Sequence, residues 1–387
     1  MFDEQPHAGT CLKNAQIVTP DGIVSGAVEI EAGRIAGISA GAQHTRASLD
    51  LDGAILIPGI VDIHTDHVER HTHPRATVLW PFLPALMAHD AVVISGGTTT
   101  VLDSLSVGAS MKRPERREIL EPLIAALDAG RRQGAFRADH LLHLRCEVSD
   151  PATMALLDAT AGHPLTRLVS VMDHTPGDRQ SPDIDRWFTH MIHEMEVDEA
   201  TGRDMMDDLL ERSRTRGAEV RTHVVASATA AGVTIMSHDD RTEAHVEQAV
   251  AEGIHVSEFP TTLAAARHAR ARGMSVVAGA PNYLRGGSQS GNVAVAELLA
   301  EGLVDMFASD YVPRSLFDAA FRLAADPALP HDLPAAIALV SDAPARAAGL
   351  TDRGRIAEGL RADLVAVRMA GDQPLVQAVW REGRQVY

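Results

Sequence analysis

The sequence contains few cysteines and no long apolar run, and both absences narrow the class of protein. The only two cysteines in the 387 residues, Cys11 and Cys146, cannot build a disulfide framework. No apolar run approaches the roughly 20 residues that a membrane-spanning helix needs. Residues 1–7 are acidic and polar, which is not typical of a signal peptide. We therefore expect a cytoplasmic protein with no membrane partner.

Lysine is nearly absent, and the chain carries no excess of positive charge. It has two lysines, Lys13 and Lys112, against 33 arginines, and its formal net charge at pH 7 is −17. Such an acidic chain is not suited to a general nucleic-acid surface, so we expect no nucleic-acid partner. An anionic small substrate remains compatible, because a pocket can be locally basic and arginine binds phosphate through two hydrogen bonds. An arginine-biased genome is sufficient to explain the overall ratio.

Length and patterning predict two domains of unequal size. The chain has enough residues for one large domain and a small one, and a hydrophobic content of 45% is typical of a globular protein. Short strand-like runs separated by turn residues fill 10–57, and similar runs return after 354. We predict a small β-sandwich domain from 1–57 plus 353–387, beside a larger domain at 58–352.

The larger domain alternates apolar, β-rich runs with helical patterns. Eight such runs predict an α/β fold, a (β/α)₈ TIM-type barrel with the small β domain attached. The runs are Ile55–His64, Thr98–Asp103, Leu141–Glu147, Leu168–His174, Val233–His238, His255–Glu258, Ser275–Ala280 and Val304–Asp310.

Helical patterns lie between these runs. The clearest predicted helices are 114–132, 242–252, 261–272 and 293–301. Pro122 is expected to kink or restart the first of them. The segment at about 175–232 is too long for one connecting helix, and we expect a helical excursion there, over the active-site face.

The first predicted barrel strand ends in two metal-binding residue types. His64 and Asp66 are one residue apart, so on an extended strand their side chains point to the same side. An imidazole and a carboxylate together suit a borderline cation such as Zn²⁺. A single His-x-Asp pair is a weak signal, because most such pairs are surface residues.

Other predicted strands also end in polar residues. In a barrel the carboxyl ends of the strands meet on one face, where active sites lie. Several suitable side chains at that face favour a metal site over a set of unrelated structural residues. The residues at these strand ends are His64, Asp66, Arg145, Glu147, His174, His238, Glu258 and Asp310.

The Pro58–Asp66 stretch, the later histidines and Asp310 resemble the metal-dependent amidohydrolase superfamily, in which a small β-sandwich lies beside a (β/α)₈ barrel. The resemblance implies two divalent metal ions, with Zn²⁺ expected and Mn²⁺ or Fe²⁺ as alternatives. Many members bridge the metals with a carbamylated lysine, but neither lysine here ends a barrel strand. The resemblance then implies Glu147 as the bridging carboxylate, with Cys146 as a less suitable alternative because adjacent strand residues face opposite sides. The implied ligands are His64, Asp66, Glu147, His174, His238 and Asp310.

A closer resemblance, over roughly 55–365, is to a branch of that superfamily that acts on phosphonate-bearing ribose triphosphates. This resemblance rests on sequence motifs such as Met172-Asp-His-Thr-Pro-Gly-Asp-Arg-Gln180, Glu258-Phe-Pro-Thr-Thr262 and Ser309-Asp-Tyr-Val-Pro313. The resemblance implies that the triphosphate on the ribose 5-carbon is cleaved, which leaves a 5-phosphate and releases pyrophosphate in phosphonate degradation. It also implies that Asp310 accepts the proton of the attacking water. This chain departs from the branch at His67, where asparagine is usual, and at Ser288-Gln-Ser290, where Ser-His-Ser is usual.

A phosphorylated sugar needs hydrogen-bond donors around it. Arg285 and Ser288 lie in a glycine-rich segment whose backbone N–H groups are expected to approach phosphate, with a helix start near Gly291. Arg145 and Arg179 are further candidates, with a structural ion pair as the alternative for each.

Three more side chains are assigned near the site with their roles left open. Glu258 is a candidate for substrate hydroxyls, for a metal or only for its neighbours. Asp239 is expected to orient an imidazole, and His67 is expected to add a ligand or to alter substrate contacts.

Two rival functions remain at this point. A narrower amidohydrolase that opens a cyclic amide or deaminates a heterocycle (dihydroorotase-like) would use the same metal chemistry on carbon. An inactive scaffold would require a broken ligand set, and this set is complete. The sequence leaves homo-oligomerisation open.

Overall fold

The computed structural model describes residues 9–41, 48–75, 78–108, 116–288 and 291–387. Lys112 and the 289–290 dipeptide, which the sequence analysis singled out, lie outside these ranges. The chain divides into two compact units, the first comprising Met1–Val101, Gly130–His140 and Met306–Tyr387, and the second comprising Leu102–Ala129 and Leu141–Asp305.

The described residues contain strands that belong to two sheets. In chain order they are β1 Thr10–Thr19, β2 Gly22–Glu31, β3 Arg34–Ala40, β4 Ser48–Asp50, β5 Ile55–Pro58, β6 Ile60–Thr65, β7 Thr98–Val107, β8 Asp139–Glu147, β9 Thr166–Met172, β10 Thr234–His238, β11 Val256–Glu258, β12 Ser275–Gly279, β13 Met306–Ala308, β14 Leu364–Ala370, β15 Gln373–Arg381 and β16 Arg384–Gln385.

Helices follow most strands of the second sheet. They are α1 Val68–Thr72, α2 Phe82–Ser95, α3 Arg116–Arg132, α4 Ala152–Thr160, α5 Ile184–Met195, α6 Glu199–Ala230, α7 Glu243–Ala251, α8 Leu263–Ala271, α9 Ala280–Arg285, α10 Val295–Ala300, α11 Ser315–Ala325, α12 Leu333–Ala338 and α13 Asp342–Ala347. None of the helices in the described ranges has the length and apolar character needed to cross a membrane.

The first sheet is built from both ends of the chain, as predicted. Its strand order is β16-β15-β14-β5-β1-β2-β3, and β4 pairs with β1. Most pairs are antiparallel, although β1 runs parallel to β4 and β5. A core that includes Leu12, Ile35, Leu56 and Trp380 is buried against it. The domain boundaries at 57/58 and 352/353 stay a prediction.

The second sheet confirms the predicted (β/α)₈ architecture. Its strands lie in the order β13-β12-β11-β10-β9-β8-β7-β6, so neighbours in the sheet are also consecutive in the chain. The first and last strands are joined by a parallel bridge between Thr65 and Asp310, which closes the barrel at its carboxyl end. Each of the eight predicted runs overlaps one of these strands. All ten residues of β7 are buried, as expected for a strand covered on both faces.

The predicted strand at Ile55–His64 divides at Gly59 into strands of two different sheets. β5 pairs with β14 of the first sheet, whereas β6 belongs to the barrel. The N–H of Gly59 donates to the carbonyl of Asp363 at 2.8 Å. A Cβ at Gly59 would lie 2.1 Å from Thr99 Oγ1, so only glycine fits where the chain changes sheets. An apolar run alone could not reveal this division, because both halves are buried.

Each of the four predicted helices overlaps an observed helix. α3 passes through Pro122 as a single helix, so it does not restart there, and the alternative of a kink at Pro122 stays a prediction. The long segment before β10 is helical, as predicted, and forms α5 and α6. Asp183 caps α5 and Asp198 caps α6, each accepting from a backbone N–H of the first turn. The position of this excursion over the active-site face stays a prediction.

Replacing Gly59 with alanine should destabilise the protein, because the added Cβ would overlap the buried Thr99 side chain. We expect the free energy of unfolding to fall by about 1–3 kcal/mol, as for other overpacked cores. Urea denaturation followed by circular dichroism measures this change. The control is Gly37→Ala, where an added Cβ meets no atom within 4 Å. Equal stability of the two variants would contradict the proposed overlap.

Candidate metal centre

In the first unit, main-chain hydrogen bonds hold three predicted ligands together. The N–H of Asp310 donates to the carbonyl of His64 at 2.9 Å, and the N–H of Asp66 donates to the carbonyl of Asp310 at 3.0 Å. The hydroxyl of Thr65 donates to the same Asp310 carbonyl. His64 is buried at the end of β6, whereas Asp66 and Asp310 are partly exposed. The predicted first-strand and last-strand ligands therefore lie side by side.

Asp62, which was not among the predicted site residues, adds further hydrogen bonds between the end of β6 and the residues that follow β13. The carboxylate accepts hydrogen bonds from the backbone N–H groups of His64 and Ser309 and from the Ser309 hydroxyl. Burial raises the pKa of Asp62 to about 6, although these hydrogen bonds oppose the shift. Because Asp62 lies two residues before His64 and so on the same face of β6, the strand period was a signal that could have found it.

In the second unit, Glu147 and His174 form a close pair. Glu147 ends β8, is 3% exposed, and accepts a hydrogen bond from His174 Nδ1 at 2.6 Å. Its other carboxylate oxygen accepts from the Ser149 hydroxyl at 2.8 Å. Burial raises the pKa of Glu147, but His174 and Ser149 outweigh it, and the pKa falls below its usual value. The carboxylate is therefore ionised and able to orient His174.

His238 is oriented in the same way by a different carboxylate. Its Nδ1 lies 2.6 Å from Glu258 Oε2, and its Nε2 lies 3.3 Å from Asp239 Oδ2. Burial lowers the pKa of His238, but the carboxylates of Asp239 and Glu258 outweigh it, and the pKa rises. Glu258, for which the sequence left three roles open, is fully buried and bonded to its neighbours.

A buried chain of hydrogen bonds continues from Glu258 across three strands. Ser170 donates to Glu258 Oε2 at 2.7 Å, and His143 Nε2 lies 2.6 Å from the Ser170 hydroxyl. The other ring nitrogen of His143 lies 3.2 Å from the hydroxyl of Ser104. Such a chain fixes the Glu258 carboxylate and, through it, the ring of His238. The serines carried no sequence signal, because isolated serines in apolar strands are common.

Arg179 lies in a buried ion pair. Its Nη1 donates to Asp240 Oδ1 at 2.8 Å and to the His238 carbonyl at 3.1 Å. Asp240 also accepts from the hydroxyls of Ser237 and Ser257. The guanidinium is thus engaged in holding the turn that follows β10, which matches the structural alternative considered for Arg179. Its predicted contact with substrate stays a prediction.

Three residues within two positions of the end of a barrel strand have left-handed backbones. Asp239, Phe259 and Asp310 follow β10, β11 and β13 with φ angles of 56°, 55° and 55°. This conformation is unfavourable for side chains other than glycine, asparagine and aspartate, and it is common where function requires a fixed geometry. The ring of Phe259 lies 5.6 Å from that of His238, in an edge-to-face arrangement.

The predicted phosphate segment has a different local structure from the one expected. Arg285 ends α9 on the surface, and Gly286 caps that helix with a φ of 82°. The N–H groups of Gly286 and Gly287 donate to carbonyls of α9. The expected helix start near Gly291 is wrong, because α10 begins at Val295. These glycines end a helix and do not present free N–H groups to phosphate. Ser288 is partly buried.

Arg145, a predicted substrate contact, and His67, whose role was left open, each lie near a histidine. Arg145 is on β8, two residues before Glu147, and its charge acts on His238. His67 precedes α1 and its Nδ1 lies 3.2 Å from His89 Nδ1. Burial, followed by the nearby His89 and His71, lowers the pKa of His67 to about 4. Their predicted roles toward substrate are untested.

The donor set fits a divalent metal. His174 and His238 each direct one ring nitrogen at a carboxylate, which is the arrangement that orients metal-binding imidazoles. One ligand atom each from His174, His238 and Asp239 lie within 4.8 Å of one another. Glu147 and Glu258 each contact an imidazole, as was expected of Asp239, and the individual roles of the three carboxylates remain predictions. Cys146 is unsuited to bind metal, because burial and then Glu147 raise the pKa of its thiol.

Replacing Arg179 with methionine should leave the carboxylate of Asp240 buried without a cation. We expect the free energy of unfolding to fall by roughly 3–5 kcal/mol, as measured by urea denaturation. Arg186→Met, at an exposed position on α5, serves as the control and should change little. If Arg179→Met keeps normal stability and only weakens substrate binding, the ion pair is not the main role of this arginine.

Comparisons with known proteins agree with this architecture. A model described as the amidohydrolase family matches residues 149–387, and a model of the allantoinase composite domain matches residues 12–50. An Escherichia coli (strain K12) relative, alpha-D-ribose 1-methylphosphonate 5-triphosphate diphosphatase, is 38% identical over 376 residues, which are 97% of this chain and 100% of the relative.

Solved structures resemble the fold at low sequence identity. N-acetyl-D-glucosamine-6-phosphate deacetylase from Mycobacterium smegmatis is 19% identical with a TM-score of 0.63, over 98% of this chain and 100% of that chain. 5-Methylcytosine deaminase from Klebsiella pneumoniae is 18% identical with a TM-score of 0.64, over 97% of this chain and 98% of that chain. These two likenesses show the fold alone. The family match over more than half of the chain, and the relative that aligns over nearly all of it, establish that this chain belongs to the amidohydrolase family of hydrolases.

Proposed function

We propose that this chain hydrolyses alpha-D-ribose 1-methylphosphonate 5-triphosphate to the 5-phosphate and pyrophosphate, in phosphonate degradation. The observation that carries the proposal is the 38% identity, over 97% of this chain and the whole of the relative, to the Escherichia coli protein of that name. The donor set of this chain suits the reaction, because water must attack phosphorus while negative charge collects on its oxygens.

The metal centre in this proposal consists of His64, Asp66, Glu147, His174, His238 and Asp310. Two divalent ions, with Zn²⁺ as the first choice and Mn²⁺ or Fe²⁺ as alternatives, would lower the pKa of a water molecule and offset charge on phosphoryl oxygens. The carboxylate partners of His174 and His238 support this assignment, since they hold each ring in one orientation.

Asp310 is the proposed proton acceptor. Its backbone is fixed on both sides by hydrogen bonds to His64 and Asp66, and its φ of 55° sets the direction of the side chain. The attacking water forms a bond to the α-phosphorus, its proton passes to Asp310, and the bond to the departing pyrophosphate breaks.

Positive charge near the substrate is required, because the chain has a net charge of −17 and the substrate is an anion. Arg145 is the favoured candidate, since it lies on β8 and its charge reaches His238, where it opposes the rise in that imidazole's pKa. Arg285 and Ser288 remain proposed contacts through their side chains. Arg179 is the weakest candidate, because Asp240 already neutralises its charge. A cytoplasmic location and a homo-oligomeric state also remain proposals.

The substrate is tested by following phosphorus products with ³¹P NMR. The metal-reconstituted enzyme is offered the ribose methylphosphonate triphosphate, ATP and dihydroorotate in separate reactions, with chelator-treated enzyme as the control. We expect pyrophosphate from the first substrate alone. Pyrophosphate from ATP as well would indicate a less selective triphosphate diphosphatase. Turnover of dihydroorotate without a phosphorus product would contradict the proposal and favour the carbon-centred alternative.

Asp310→Asn should reduce turnover at least about 100-fold, because the amide cannot accept the water's proton. Metal content, measured by inductively coupled plasma mass spectrometry, and the melting temperature should stay near the wild-type values. Asp372→Asn, at an exposed turn between β14 and β15, is the matched control and should keep full activity. Near-normal turnover of Asp310→Asn would show that another group accepts the proton.

A further inference from the structure

Three histidines come together in the first unit, outside the six predicted ligands. His67 directly precedes α1, His71 lies one turn later on the same face, and His89 lies on α2. Their ring centroids are separated by 4.9 Å (His67–His71), 5.4 Å (His67–His89) and 6.1 Å (His71–His89). One ring nitrogen of each lies within 4.8 Å of those of the others. The three imidazoles therefore face a common point.

The spacing of two of these nitrogens suits a bound metal. His67 Nδ1 and His89 Nδ1 are 3.2 Å apart. Around a tetrahedral zinc ion with bonds of about 2.0–2.1 Å, neighbouring ligand atoms lie about 3.4 Å apart. A hydrogen bond between the two rings would give a similar distance, so this pair alone does not decide between the two possibilities.

His71 provides the second, independent observation. Its Nε2 is buried and has no hydrogen-bond partner among the described residues. Leaving a buried polar nitrogen unpaired is unfavourable, and such atoms are rare in folded proteins. A bond between His67 and His89 would not satisfy this nitrogen, whereas an ion bound through His71 Nε2 would.

The chemistry of the cluster selects the kind of ion. The three ligands are imidazoles with no carboxylate among them, which does not suit Mg²⁺ or Ca²⁺. Three histidines with one remaining coordination position for water suit a borderline transition metal. We propose that His67, His71 and His89 bind one such divalent ion, for example Zn²⁺, in addition to the ions of the amidohydrolase ligand set. This ion would connect α1 to α2 across the segment between them.

The number of bound metal ions tests the proposal. Chelator-treated wild-type protein and His71→Gln are titrated with Zn²⁺ in equilibrium dialysis, and the ions bound per chain are counted. We expect wild type to bind one more ion than His71→Gln. The matched control is His73→Gln, two residues away, whose ring contacts Thr72 and is outside the cluster. It should bind as many ions as wild type.

The difference between variants is the measured quantity, so the result does not depend on how many ions the proposed catalytic site holds. Cobalt substitution gives a second readout, in which the d–d absorption of one tetrahedral Co²⁺ should be lost in His71→Gln. If circular dichroism shows that His71→Gln is misfolded, His67→Asn takes its place with the same expected loss of one ion. Equal stoichiometry in wild type and a folded variant would overturn the proposal and leave a simple hydrogen bond between His67 and His89.

Discussion

The carboxyl end of β6 is fixed by hydrogen bonds to residues that follow β13, some 245 positions later in the chain. Asp310 exchanges main-chain bonds with His64 and Asp66, and Asp62 binds the N–H groups of His64 and Ser309. The same hydrogen bonds therefore close the barrel and bring the predicted ligands His64, Asp66 and Asp310 together. A change that opens this connection would disturb both the fold and the site, because β6 is buried along its whole length.

Two carboxylates in this protein hold imidazoles in place, a role different from that of a metal ligand. Glu147 holds His174, and Glu258 holds His238 through a carboxylate that Ser170 in turn fixes. A sequence indicates which residue types lie at strand ends. However, aspartate and glutamate serve equally as metal ligands and as partners that orient an imidazole. Only the contact between two side chains from different strands shows which imidazole each carboxylate reaches.

Arginines and glycines were the least predictable part of the site. Arg179 lies in the stretch Met172–Gln180 that resembles the family and is a predicted phosphate contact, yet its partner is Asp240, 61 positions away. Gly286 and Gly287 resemble a phosphate loop, yet their N–H groups complete the end of α9. In both cases the local pattern permits two structures, and the choice depends on partners that the pattern does not contain.

The sequence by itself determined the order of the eight barrel strands, the sheet built from both chain ends and the strand-end positions of the six predicted ligands. These features follow from local properties, since apolar periodicity and turn residues act within a few positions. Tertiary structure alone decided the change of sheet at Gly59, the carboxylate partner of each imidazole, the burial of Arg179 and the meeting of His67 and His71 with His89. These depend on contacts between distant segments, where packing and the burial of charge select one partner from several that the sequence allows.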